Sequence, residues 1–142
     1  MINLSILELG ERSNRNPKDS VSDIIDYAIF SEQLGYKRFW LAEHHSNEIL
    51  LPYTSPEILM TLIAEKTKKI KVGSAGSLIN YYSPYALVTK YKFLNNYFNN
   101  RIDFGLSKGH NIQLAKHDFL NLRTYNKEHY ILFEENIAKI NS

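Results

Sequence analysis

The chain contains no cysteine among its 142 residues, which excludes disulfides, thiolate catalysis and cysteine-ligated zinc. Nor is there an excess of one charge. Seventeen basic against fifteen acidic side chains give a formal net charge of +2, and no block of like charge exceeds a few residues. Without that electrostatic footprint, neither nucleic acid nor a membrane surface is expected as a partner. No stretch approaches the roughly 18 apolar residues of a membrane span. The first residues also lack the basic region and apolar run of a secretory signal, so a cytoplasmic location is the expectation. Low-complexity tracts and internal linkers are lacking too. With 44% apolar residues, one globular domain over residues 1–142 is expected.

What is present is a repeat of secondary-structure signals. Ile2 to Leu9, ending at Gly10, reads as a strand. Asp19 or Ser20 is the expected cap of a helix with Val21, Ile24, Ile25, Ala28 and Ile29 on one face, and Gly35 stands where a left-handed terminator belongs. Arg38 to Glu43 reads as the second strand. Ser55-Pro56 pairs a cap with proline at the first helical position, opening a helix with Ile58, Leu59, Leu62 and Ile63 inward and lysines at its end. Lys71 to Leu78 is the third strand. Ser83-Pro84 repeats the cap before Leu87, Tyr91, Leu94 and Phe98, and Arg101 to Leu106 is the fourth strand. Beyond about residue 111 the pattern weakens, and Tyr130, Phe133, Ile137 and Ile140 suggest a closing helix within a helical segment, 112–142. The aromatics at helical spacing read as core or interface rather than as platforms for bases.

Strands separated each time by one helix imply a parallel sheet of α/β class. Four such units are half of a (β/α)8 barrel, whose usual length is about 250 residues. Half a barrel leaves two strand edges and one sheet face uncovered. Either the last segment folds over them or another chain does. A second half-barrel chain is the expectation, with a homodimer of four plus four strands the simplest geometry and a separately encoded subunit the alternative.

Reacting groups in such folds sit at the carboxyl ends of strands. The second strand runs into Glu43, His44 and His45. Adjacent residues on a strand point opposite ways, so joint chelation of a metal by the two histidines is awkward and no metal site is expected. The imidazoles could exchange protons near neutral pH, or one could pack against Trp40 or Tyr36 while the other is solvated. Gly73-Ser74-Ala75-Gly76-Ser77 ends the third strand with small residues only, which suits either a flat ligand lying on the backbone or a tight bend or bulge. Asn80, Tyr81 and Tyr82 then read as surface turn residues. Gly105-Leu106-Ser107-Lys108-Gly109-His110-Asn111 offers a hydroxyl, an ammonium and flexible backbone, which suits a phosphate or simply a glycine-punctuated loop. It is not a Walker loop, because the lysine precedes the second glycine.

Three pieces, LGYKRFWLAEHHS, SPEILMTLIAEKTKKIKVGSAGSLI and SPYALVTKYKFLNNYFNNRIDFGLSKG, together resemble the bacterial luciferase-like flavin-dependent monooxygenases in order and spacing. The resemblance covers about residues 2–111, the first half of a typical member. It implies an eight-stranded barrel binding reduced flavin, usually FMN and in one branch the deazaflavin F420. It implies His44 as the active-site imidazole with Glu43 as its orienter, and a non-prolyl cis peptide at Ala75-Gly76 beneath the flavin ring. Ser107 falls at the flavin-facing position of the fourth strand. Lys108 falls where many members carry an arginine near the phosphate, keeping the charge and losing the two-pronged geometry. The implied activity is oxygenation of a small organic substrate with reduced flavin from a separate reductase. Two other readings stand beside it: a non-catalytic half-barrel that binds flavin or a protein partner, and a cofactor-free enzyme using Glu43 and His44 as an acid–base pair.

Overall fold

Asn16 opens the first helix of the computed structural model, accepting a 2.9 Å hydrogen bond from the Lys18 amide through Oδ1 while Pro17 takes the first helical position. The cap therefore lies upstream of Asp19 and Ser20, and Ser20 is instead buried with its hydroxyl donating to the Asn16 carbonyl at 3.1 Å. The structure describes residues 2–12, 15–45, 51–109 and 129–141. In chain order it comprises β1 (Ser5–Glu8), α1 (Pro17–Gln33), β2 (Arg38–Leu41), α2 (Pro56–Lys66), β3 (Lys71–Leu78), a 3-10 turn (Ile79–Tyr81), α3 (Pro84–Tyr97), β4 (Ile102–Ser107) and α4 (His129–Asn141). Expected His110, Asn111 and residues 112–128 lie outside the described residues, as do the side chains of Tyr130 and Phe133.

The four strands form one sheet in the order β1-β2-β3-β4, every pair parallel. This is half of a (β/α)8 barrel, four consecutive strand–helix units wound in one direction. Register aligns Leu7 with Trp40, Trp40 with Gly73 and Gly73 with Asp103. Because side chains alternate, the sheet has two unlike faces. Phe39, Leu41 and Val72 are fully buried beneath the helices, with Ile24, Met60, Ile63 and Leu87 closing over them. The opposite face carries Leu7, Trp40 and Ala75 and, among the described residues, lies open: Leu7 is 53% exposed and Leu9 45%.

Helix α2 meets the sheet through Leu59, Met60, Ile63 and Ala64, so Ile58 and Leu62, expected inward, are 64% and 45% exposed. The reason is rotational: Met60, fully buried, belongs to the inward stripe, and residues 58 and 62, two positions to either side of it, fall on the opposite face of the helix. Elsewhere the periodicity holds. Leu87, Tyr91 and Leu94 face the core from α3, Ile137 and Ile140 pack onto it from α4, and Gly35 terminates α1 with a φ of +86°.

Polar side chains fix the two turns that start strands. The Glu32 carboxylate receives the backbone amides of Lys68, Lys69 and Ile70 before β3. Partial burial works to raise its pKa, but these three donors and Arg101 outweigh that and hold it below the usual glutamate value. Before β4, Arg101 donates to the carbonyls of Ala64 at 2.6 Å and Ile70 at 3.2 Å.

Candidate active site at the strand ends

All four strands end on one rim, and their last residues line a cleft of about 340 Å³. The segment that follows β2 contributes Ala42, Glu43, His44 and His45, β3 contributes Ala75, Gly76 and Leu78, and β4 contributes Ser107, with Leu9, Tyr81 and Gly109 completing the wall. Of the six residues singled out from sequence, five therefore meet around one space. Lys108 is not among the lining residues; its carbonyl accepts from Asn80 Nδ2 at 3.2 Å.

Glu43 is 4% exposed and its carboxylate is fully engaged. Oε1 accepts from the Tyr82 hydroxyl at 2.6 Å and lies 2.7 Å from His45 Nε2, while Oε2 accepts from the Leu78 amide at 3.0 Å. Facing a carboxylate, His45 Nε2 serves as the donor. Glu43 thus orients His45, and His44, the next residue along, points to the exposed side of the cleft. The two imidazoles differ in surroundings, His44 being exposed and His45 half-buried, although both line the cleft. His45 packs at a tilt against Tyr81, ring centroids 5.5 Å apart, rather than against Trp40 or Tyr36. Among the described residues no group of three or more ligating side chains converges to hold a metal ion.

Asn80, Tyr81 and Tyr82 are not surface residues. Asn80 is 1% and Tyr81 4% exposed, and burial followed by the bond to Glu43 pushes the Tyr82 hydroxyl well above its ordinary pKa. The available signal was two aromatics placed directly after a strand and before a Ser-Pro cap, where a solvated turn has little use for them.

Of the two readings left open by the sequence for the small residues of β3, the structure shows the bulge. The Ala75-Gly76 peptide bond is cis, and the β3–β4 register shifts between Ser74 and Ser77. A Cβ at Gly76 would lie 2.6 Å from the Leu106 carbonyl carbon, and one at Gly105 would lie 2.3 Å from the Ser74 oxygen. Glycine is what lets β3 and β4 approach there. Ala75, exposed, and Gly76 leave a flat, side-chain-poor floor beside the apolar walls of Leu9, Ala42 and Leu78. His44 and Ser107 are polar groups in the lining around that floor.

The model for "Luciferase-like monooxygenase" matches residues 3–119. The uncharacterized protein YceB of Bacillus subtilis is 41% identical over 109 residues, 76% of this chain and 33% of that protein. The N-acetyl-S-alkylcysteine monooxygenase of B. subtilis is 35% identical over 111 residues, 76% of this chain and 32% of that enzyme. The chain thus spans about a third of the length of these relatives. Among solved structures, the oxygenating constituent of 3,6-diketocamphane monooxygenase from Pseudomonas putida, in complex with FMN, superposes with a TM-score of 0.82 at 18% identity, covering 99% of this chain and 38% of that one. At that identity the likeness is one of fold.

Proposed function

Since the chain belongs to the luciferase-like monooxygenase family, we propose that its strand-end cleft is the flavin-binding half of a flavin-dependent monooxygenase site. The observation that carries this reading is the convergence of His44, the Ala75-Gly76 floor and Ser107 on one cleft. FMN is the proposed cofactor, ahead of F420. Ala75 and Gly76 carry the face of the ring, Ser107 donates or accepts at its edge, and Lys108, at the rim beyond, supplies positive charge for the phosphate. Bound reduced flavin supplies the electrons with which oxygen is activated for transfer to a small organic substrate. His44 moves a proton at the open side of the cleft. Glu43 holds the β2 end in place through Leu78 and Tyr82 and orients the neighbouring His45.

The partner is a second half-barrel covering the sheet face and the β1 and β4 edges that are open among the described residues, and a separate flavin reductase is a further candidate partner. Closure would also exclude water from the cleft, as oxygen chemistry on a flavin requires. A second reading, a half-barrel that binds flavin or protein without turnover, is favoured by the position of Lys108 outside the cleft lining.

Titration of the assembled protein with FMN should quench the flavin fluorescence, and His44→Ala should lower substrate-dependent oxygen uptake about a hundredfold while leaving FMN affinity within about threefold. Equal loss of binding and turnover would overturn the role given to His44. Flavin binding without any oxygen uptake would select the non-catalytic reading.

A further inference from the structure

The end of the sheet opposite the cleft carries a charge imbalance on its open face. Arg38 Nε, on β2, lies 2.7 Å from Asp103 Oδ2, and Lys71 Nζ, on β3, lies 3.4 Å from Asp103 Oδ1. Two cations share one carboxylate, and all three side chains are partly exposed, at 38%, 42% and 22%. Arg38 and Lys71 are register partners, so the two charges stand side by side at the start of their strands. Among the described residues the neighbouring charges do not correct the imbalance. Glu8 alternates onto the helix side, where Arg12 takes both its oxygens at 3.0 and 2.7 Å. Arg101 is turned toward α2 and the start of β3 by its carbonyl bonds.

Directly above this cluster the face becomes apolar. Trp40 lies over Gly73, where an added Cβ would come within 2.4 Å of the indole, and Leu7 stands beside it in register. Whatever closes the barrel must cover an apolar layer and, one level down, a layer with one cation in excess. A second copy of this chain would bring its own Arg38, Lys71 and Asp103 to the same level. That layer would then hold four cations and two carboxylates. Partly buried charge without a partner is costly, and like charges at an interface select against that pairing.

We propose that the open face is closed by a β/α half of unlike sequence that brings at least one carboxylate to the level of Arg38 and Lys71, and that a second copy of this chain is selected against. The inference rests on the half-barrel reading above and chooses between its two partners. Arg38 and Lys71 are then the residues that determine which half is accepted.

The substitution Lys71→Met tests this, because it leaves Arg38 and Asp103 balanced and so has opposite effects on the two assemblies. Self-association of the chain is measured by sedimentation equilibrium, with amide exchange at the edges of β1 and β4 reporting closure of the barrel as distinct from contact through the helices. The expected result is that edge-protected self-association is absent or weak in 50 mM salt and becomes about tenfold tighter in Lys71→Met. The native particle, isolated through a tag on this chain, should contain a second sequence, should protect both edges, and should dissociate about tenfold more readily when Lys71 is Met. The exposed α2 lysine, as Lys66→Met, should change neither. A native particle made only of this chain with both edges protected, or Lys71→Met shifting both assemblies in one direction, would overturn the pairing inference alone. Edges that stay unprotected in every particle would overturn it together with the half-barrel reading.

Discussion

The two faces of the sheet are made by the same four strands and have opposite surroundings. On one, Phe39, Leu41 and Val72 are fully buried under three helices; on the other, Leu7, Trp40 and Ala75 face outward over a cluster of Arg38, Lys71 and Asp103. Successive residues of one strand thus belong to a finished core and to an unfinished one. The helix-covered face holds the fold together, whereas the open face and the rim above it carry the proposed site and the proposed partner surface. Core and proposed site are separated here by a single peptide step along each strand.

That contrast can be broken most severely at Phe39. Phe39→Ala should cost about 3–5 kcal/mol in urea unfolding, whereas Leu7→Ala, on the open face of the same sheet, should cost less than about 1 kcal/mol in the isolated chain. Comparable losses at the two sites would mean that the open face is already covered. Next comes Gly105→Ala, whose methyl would meet the Ser74 carbonyl oxygen; overpacking of about 1–3 kcal/mol is expected, with an altered spectrum of any flavin bound over Ala75-Gly76. Third, Tyr82→Phe removes one donor from the buried Glu43 carboxylate. A loss of about 1–2 kcal/mol is expected in thermal unfolding, together with a change in the His45 imidazole resonance that a purely packing role would not produce.

The smallest effect belongs to Glu32, far from both the rim and the open face. Its folded pKa is depressed, so its contribution to stability is complete above the ordinary carboxyl range, near 4.5, and is lost as pH falls through the lower folded value. Glu32→Gln should remove that part of the acid dependence while costing under about 1 kcal/mol near neutrality, because the group is mostly solvated. An unchanged acid unfolding curve would remove the turn from the list of features that set the start of β3.

Strand order and helix placement were legible because each unit carries its own punctuation. Gly35, Ser55-Pro56 and Ser83-Pro84 mark boundaries that no tertiary contact has to supply. The rim was legible for a related reason: strand ends are local features, so Glu43, His44 and the glycine-rich ends of the third and fourth strands could be read locally, while the family resemblance singled out Ala75, Gly76 and Ser107 within them. Partnerships across the rim were not. That Glu43 binds His45 and Tyr82 rather than His44 depends on residues 39 positions apart meeting at one oxygen, and nothing in their spacing encodes it. The inward faces of Ile58 and Leu62 were misassigned for the same reason, because a helix with apolar residues on more than one side lets the sheet choose which stripe to take. The first cap was missed because Asn16 lies three residues ahead of the acidic signal at Asp19 that drew attention.

The indole of Trp40 rests on the space left by the missing side chain at Gly73. Inheritance of these two positions should consequently be linked: a descendant that keeps the tryptophan has no freedom at 73, while one that trades it for a smaller residue gains room there for a methyl or more. A library randomised at both sites and selected for folding would reveal that dependency as a correlation between residues 33 positions apart in the chain, without any reference to activity.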